Sequence, residues 1–215
     1  MVRNSPRGRV LTLTAAFTLG ALLVGGLVFA GTRASSTERT ADRIRVEAAQ
    51  RDKAQIKTLT ELARTTRDRL VPVLEGLDRA MPADDSTRPT TVTSADVADW
   101  RRAATAAVEA FADPPSGETA TNVARSSLAS AVRQIATTVD TYATSRALTG
   151  STRETVVALA VRQRADAIFT WSTGATALDA ANTDAGLGHQ HVFLPAAPGS
   201  GALTPDDEPE GSHGP

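Results

Sequence analysis

The chain has 215 residues and a formal net charge of −1, enough for one or two domains. It contains no cysteine, which excludes disulfides, thiolate metal sites and cysteine nucleophiles. Its three histidines, His189, His191 and His213, lie near the C-terminus, so the rest of the chain lacks the commonest general base and zinc ligand. The near-neutral charge is not typical of a dedicated nucleic-acid binder.

An uncharged apolar segment is the strongest signal in the sequence. Residues 10–30 (VLTLTAAFTLGALLVGGLVFA) follow a basic head, residues 1–9. As a helix this segment is about 31 Å long, which matches the hydrocarbon core of a bilayer. Its length favours an uncleaved signal-anchor over a cleaved signal peptide, whose apolar stretch is about 7–15 residues. We expect a single-pass cell-membrane protein that contacts the lipid bilayer through residues 10–30; secretion after cleavage following Ala30 is the alternative.

The basic head predicts a cytoplasmic N-terminus and an extracytoplasmic C-terminal domain. Arginines on both sides of the apolar segment reduce the charge asymmetry on which this orientation depends. Small residues recur at four-residue spacing in the segment, for example Ala16 and Gly20, and such spacing supports helix pairing in membranes.

Helical periodicity continues from residue 35 to about residue 181, and no stretch alternates as a strand would. Ser35 and Glu38 predict a capping box at the start of a first helix that runs to about Ala80. Residues 31–55, which include its early part, carry many charges and few large apolar side chains, and are predicted to be a juxtamembrane helical stalk or weak coiled coil. Pro72 predicts a kink in this helix or a break into two.

Three further helices are predicted. The second begins at Thr93 or Ser94 and ends before Pro114, the third ends at Gly150, and the fourth begins at Ser151 and fades near Ala181. Four amphipathic helices with short connections predict an all-α fold, an up-down antiparallel four-helix bundle over residues 56–181. Its largest core side chains are expected to be Trp100, Phe111, Tyr142, Phe169 and Trp171. If the Phe169 ring is buried, Phe169→Ala should cost about 3–5 kcal/mol.

The C-terminal residues, 182–215, have a different composition. They are rich in glycine and proline, contain five acidic residues and have no lysine or arginine. This composition predicts a disordered acidic tail. One apolar segment within it, residues 189–195 (HQHVFLP), could dock on the bundle or on a partner.

Few residues suggest chemistry. His189 and His191 have the spacing of a metal-binding pair, but two ligands without a nearby cysteine or fixed carboxylate make a weak site. Acidic pairs at Asp84–Asp85 and Asp96–Asp99 are ordinarily solvated loop and helix-start residues. Because the predicted bundle contains no histidine, di-iron sites and histidine-activated serines are excluded there. No catalytic residue, cofactor site or metal site is predicted, and the chain is not expected to be an enzyme.

These features predict a membrane-anchored, extracytoplasmic helical-bundle protein at the bacterial cell envelope. It would act as a non-enzymatic interaction or structural module, with an envelope protein or a second copy of itself as partner. The layout resembles the exported helical ectodomains of bacterial sensory proteins and the single-pass coiled-coil proteins of envelope assemblies. This resemblance is architectural and implies no functional residues. The alternative is a ligand-binding or sensory ectodomain with a small molecule bound between helices.

Overall fold

Four α-helices make up most of the structure. The computed structural model describes residues 36–84, 87–196 and 202–203, and these residues contain no strand. The helices are α1 (Ser36–Ala80), α2 (Ser94–Ala110), α3 (Thr119–Ser145) and α4 (Gly150–Asp184). The all-helical class predicted from the periodicity is therefore confirmed.

The predicted basic head, residues 1–9, and the predicted membrane helix, residues 10–30, lie outside the described residues. Within the part of the chain that the structure describes, no helix is both long enough and apolar enough to cross a membrane.

Helix α1 is 45 residues long and continuous through Pro72, so the alternative to a kink, a break into two helices, is not observed. Compactness divides the chain into residues 1–49 and 50–215. In the first unit, residues 37–49 contain no buried side chain, and Ile44 and Val46 are each 55% exposed. In the second unit, Ile56 is the first residue of α1 to be buried.

Helix α2 begins where the sequence predicts. The Thr93 hydroxyl accepts a hydrogen bond from the backbone N–H of Asp96 (3.1 Å), and the Asp96 carboxylate accepts one from the backbone N–H of Thr93 (2.9 Å). This reciprocal pair satisfies two N–H groups that the helix itself leaves without acceptors.

Helix α3 ends at Ser145, earlier than predicted, and Gly150 is the first residue of α4 rather than the end of α3. The chain leaves α3 through a turn in which Arg146 donates to the backbone carbonyls of Thr93 (3.0 Å) and Val92 (3.1 Å). No local feature of the sequence predicts these long-range hydrogen bonds.

The core consists of two clusters of buried apolar side chains. The larger one combines residues of all four helices with Val192 and Leu194, which follow α4. The smaller one also draws on all four helices and on the residue after α1, and contains Val73, Leu77, Ala80, Met81, Val97, Ala104, Val139, Tyr142 and Ala160. Small residues allow close approach between helices: a Cβ at Gly174 would lie 3.0 Å from the backbone nitrogen of Leu128.

Polar side chains also join the helices. Buried Arg164 of α4 pairs with Asp78 of α1 (2.9 Å) and donates to the carbonyl of Met81 (3.2 Å). Burial lowers the pKa of Arg164, and attraction to Asp78 opposes that shift. Buried Asn182 donates to the hydroxyl of Thr60 (2.9 Å), so α1 and α4 are hydrogen-bonded at two separate levels.

The predicted burial of Phe169 is wrong. Its side chain is 49% exposed, whereas Trp171 is fully buried and Phe111 is almost so. Phe169 and Trp171 are two positions apart in α4, which corresponds to a rotation of about 200° around the helix axis. Their rings therefore point to opposite sides of the helix. Alanine lies on several faces of α4, and the apolar periodicity therefore does not determine which face is inside.

The predicted tail disorder is wrong over residues 182–196. Helix α4 continues to Asp184, and residues 185–196, here called the C-terminal strap, pack against the helices. Composition averages over the whole segment and misses Val192 and Leu194, whose burial favours order. Residues 197–201 and 204–215 lie outside the described residues.

Exchanging the two phenylalanines for alanine should separate exposed from buried positions. We expect Phe169→Ala to lower the free energy of unfolding by about 1 kcal/mol or less, because half of the ring is already in water. The matched change Phe111→Ala removes a buried ring and should cost about 3–5 kcal/mol. Denaturant unfolding of the full-length protein, followed by circular dichroism, measures both. Equal losses would contradict the placement of Phe169.

Candidate functional site

The strap begins with a reversal of the chain after α4. Gly186 and Gly188 have φ values of +65° and +71°, which glycine adopts without strain. The N–H of Gly186 donates to Thr183 (2.9 Å) and that of Leu187 to Asn182 (2.8 Å). Residues 189–194 then return along α4 toward its first half.

A hydrogen bond from the core fixes the strap. The indole N–H of Trp171 donates to the backbone carbonyl of Val192 at 2.7 Å. Trp171 is 0% exposed and Val192 1%, so water is excluded from this bond. Removing the strap carbonyl would leave the indole N–H without this acceptor, and an unsatisfied buried donor costs about 1–3 kcal/mol.

Two arginines of α1 hold the strap from the other side. Arg64 donates to the side-chain oxygen of Gln190 (2.8 Å), and Arg67 donates to the backbone carbonyl of His191 (3.2 Å). The strap therefore bridges α1 and α4.

A cluster of two histidines and one carboxylate lies where the strap meets α4. The Oδ2 atom of Asp179 is 2.8 Å from Nδ1 of His189, and its other oxygen accepts the backbone N–H of Gln190. The rings of His189 and His191 are 5.9 Å apart between centroids. Asp179, His189 and His191 each offer one ligand atom, and these atoms lie within 4.8 Å of one another.

The sequence identified the histidine pair but not its carboxylate. Asp179 is ten residues before His189, in a helix, and comes close only because the chain reverses at Gly186 and Gly188. The fixed carboxylate that the histidine pair needs is therefore present. The one feature of the sequence that indicates how Asp179 comes close to the histidines is the pair of glycines directly after the helical pattern.

The other acidic candidates have local roles. Hydrogen bonds from the side chain and backbone of the N-cap threonine lower the pKa of Asp96. Asp99 pairs with Arg102 one helical turn further on. Asp84 is exposed in the loop after α1, where its carbonyl accepts a backbone N–H, and Asp85 lies outside the described residues. The geometry of Asp96 and Asp99 is that of helix-start residues.

Comparison of the chain with protein-family models, curated proteins and solved structures gives no match. A crevice of about 180 Å³ lies between α1, α4 and the end of the strap, with Asp78 and Arg164 in its wall. This volume is below the range of about 300–1,000 Å³ that is usual for small-molecule pockets. A more open groove between α1 and the strap, lined by Arg67, Pro72 and Leu194 among others, measures about 560 Å³ and lies within that range.

Replacing the buried indole tests how the strap is held. Trp171→Phe removes the N–H donor and part of the ring, and should destabilise the protein by about 1–3 kcal/mol. Hydrogen exchange of residues 189–194 should become faster, because the strap loses its bond to the core. Trp100→Phe is the matched control and should leave exchange in the strap unchanged. Unaltered protection of the strap in Trp171→Phe would contradict this role.

Proposed function

We propose that this chain is a membrane-anchored, extracytoplasmic interaction or structural module of the bacterial cell envelope, without enzymatic activity. In this proposal residues 10–30 span the membrane, the N-terminus is cytoplasmic, and residues 31–55 are a stalk. The single observation that best supports the proposal is that α1 has an exposed first part and a second part that is buried in the core. None of the side chains at residues 37–55 is buried, whereas the same helix builds the core from Ile56 onward.

The folded part is proposed to be an up-and-down antiparallel four-helix bundle. Three contacts support this topology: one joins the end of α3 to the start of α2, and the other two pair successive levels of α1 with α4 in reverse order. Arg146, after α3, bonds to the residues that precede α2. Thr60, in α1, meets Asn182 near the end of α4, while Met81, after α1, meets Arg164 nearer its start.

An exposed helical segment between a membrane anchor and a folded domain acts as a spacer. No side chain at residues 37–49 is buried, and ion pairs there, such as Arg45–Asp42 (3.0 Å), are exposed. Exposed pairs contribute little, about 0–1 kcal/mol each. An extra source of stability for this segment is therefore expected, and a second helix would provide it.

The segment has a short apolar seam suited to such a helix. Ala41, Ile44 and Ala48 follow one another at spacings of three and four residues, as the core positions of a coiled coil do. Ile44 is 55% exposed, and Ala41 and Ala48 are half-buried. We propose that a second copy of the chain packs on this seam in the parallel orientation that a shared membrane imposes.

Membrane anchoring and orientation are tested in cells. We expect full-length protein with a C-terminal epitope tag to sediment with membranes, and external protease to remove the tag from spheroplasts. Deletion of residues 10–30 should release the protein from the membrane fraction. A tag that external protease does not reach, or a full-length protein found in the cytosolic fraction, would contradict the proposal.

Self-association is tested at the seam. The only lysines, Lys53 and Lys57, follow it closely in α1, so an amine-reactive cross-linker reports on this region. Ile44→Glu should greatly reduce the cross-linked dimer in membranes, since it places like charges opposite each other. Val46→Glu is the control, because Val46 is equally exposed but lies on another face. Equal dimer yield in both variants would contradict pairing through the seam, and a cross-link to a different envelope protein would replace the second copy as partner.

A further inference from the structure

We propose that Asp179, His189 and His191 bind a zinc ion, and that this ion fastens the C-terminal strap to α4. The two histidines belong to the strap and the aspartate to the helix. A metal held by all three would therefore link two parts of the chain that are otherwise joined by hydrogen bonds and apolar contacts.

The donor set selects the class of metal. Imidazole nitrogen binds zinc and other late divalent transition ions well, whereas magnesium and calcium prefer sites made of oxygen atoms. Two histidines and a carboxylate with water in the fourth position form a known type of tetrahedral zinc site. His189 and His191 are exposed, so water has access to the remaining position.

The spacing of the donors is close to what zinc requires. Ligand atoms about 2.0–2.2 Å from a tetrahedral zinc ion lie about 3.4 Å apart. Here Asp179 Oδ2 and His189 Nδ1 are 2.8 Å apart, and all three donor atoms lie within 4.8 Å. A slight opening of the first pair and a rotation of the exposed His191 ring meet the requirement.

The carboxylate is already held in position. One oxygen of Asp179 accepts the backbone N–H of Gln190, which leaves Oδ2 directed at His189. Partners of this kind fix the orientation of a metal ligand and raise its affinity. Asp179 is also the least exposed member of the group, with 18% of its side chain accessible.

Nearby positive charge does not prevent binding. Arg64 and Arg67 both bond to the strap, and a free cation there would oppose a zinc ion. Each is paired with an acid of α1, however: Arg64 with Glu61 (2.6 Å) and Arg67 with Asp68 (2.7 Å). Salt further screens these charges, which are only partly buried.

The proposal is tested by titrating zinc chloride into the detergent-solubilised full-length protein, prepared without a histidine tag. We expect saturable binding of one zinc ion, measured by competition with a chromogenic chelator, and no competition from magnesium. His189→Ala, His191→Ala and Asp179→Asn should each weaken binding about tenfold or more, since even loss of a ligand's supporting partner costs about 10- to 100-fold. His213→Ala, which changes the third histidine of the chain, is the matched control and should bind as the wild type does.

A second measurement reports on the strap itself. Zinc should slow hydrogen exchange of residues 189–194 in the wild type and in His213→Ala, but not in His191→Ala. Circular dichroism of each variant without zinc confirms that it is folded. Wild-type zinc affinity in His189→Ala and His191→Ala, no saturable binding, or loss of binding in His213→Ala would overturn the proposal.

Discussion

A buried indole N–H needs an acceptor, and in this protein that need connects the C-terminal strap to the centre of the core. Trp171 meets Phe111, which directly follows α2, edge to face, with ring centroids 6.4 Å apart, so its ring is held on one side by an aromatic contact. Its nitrogen is held on another by the carbonyl of Val192. The packing around Trp171 therefore fixes the positions of α2, α4 and the strap relative to one another. The contacts that Arg64, Arg67 and Asp179 make with the strap depend on this packing.

Features governed by neighbouring residues could be predicted from the sequence. The start of α2 was predicted at Thr93 or Ser94, and there Thr93 and Asp96, three positions apart, bond to each other's backbone. The large apolar residues of α1 recur at helical spacing from Ile56 onward, which is also a local pattern, and these residues and Met81 after the helix are almost all buried. The buried face of α4 could not be predicted, because alanine is compatible with either face of the helix. The sequence therefore does not show which of Phe169 and Trp171 is buried.

The candidate site was only half visible for a related reason. His189 and His191 stand out in a chain with three histidines, but Asp179 is one of many helical acids. Its position beside the histidines results from the reversal at the two glycines and from the burial of Val192. Both are tertiary effects, and the overall composition of residues 182–215, which resembles that of a disordered tail, conceals them.

The bridge that the strap makes to α1 affects the order in which the protein acquires its structure. Arg64 and Gln190 are 126 residues apart in the sequence, and Arg67 and His191 are 124 apart. Contacts that close such long loops form late, because the chain loses much entropy when it makes them. Synthesis proceeds from the N-terminus, so the core remains incomplete until the strap has left the ribosome. If the chain crosses a membrane as proposed, this delay would keep it unfolded until it reaches the translocation machinery.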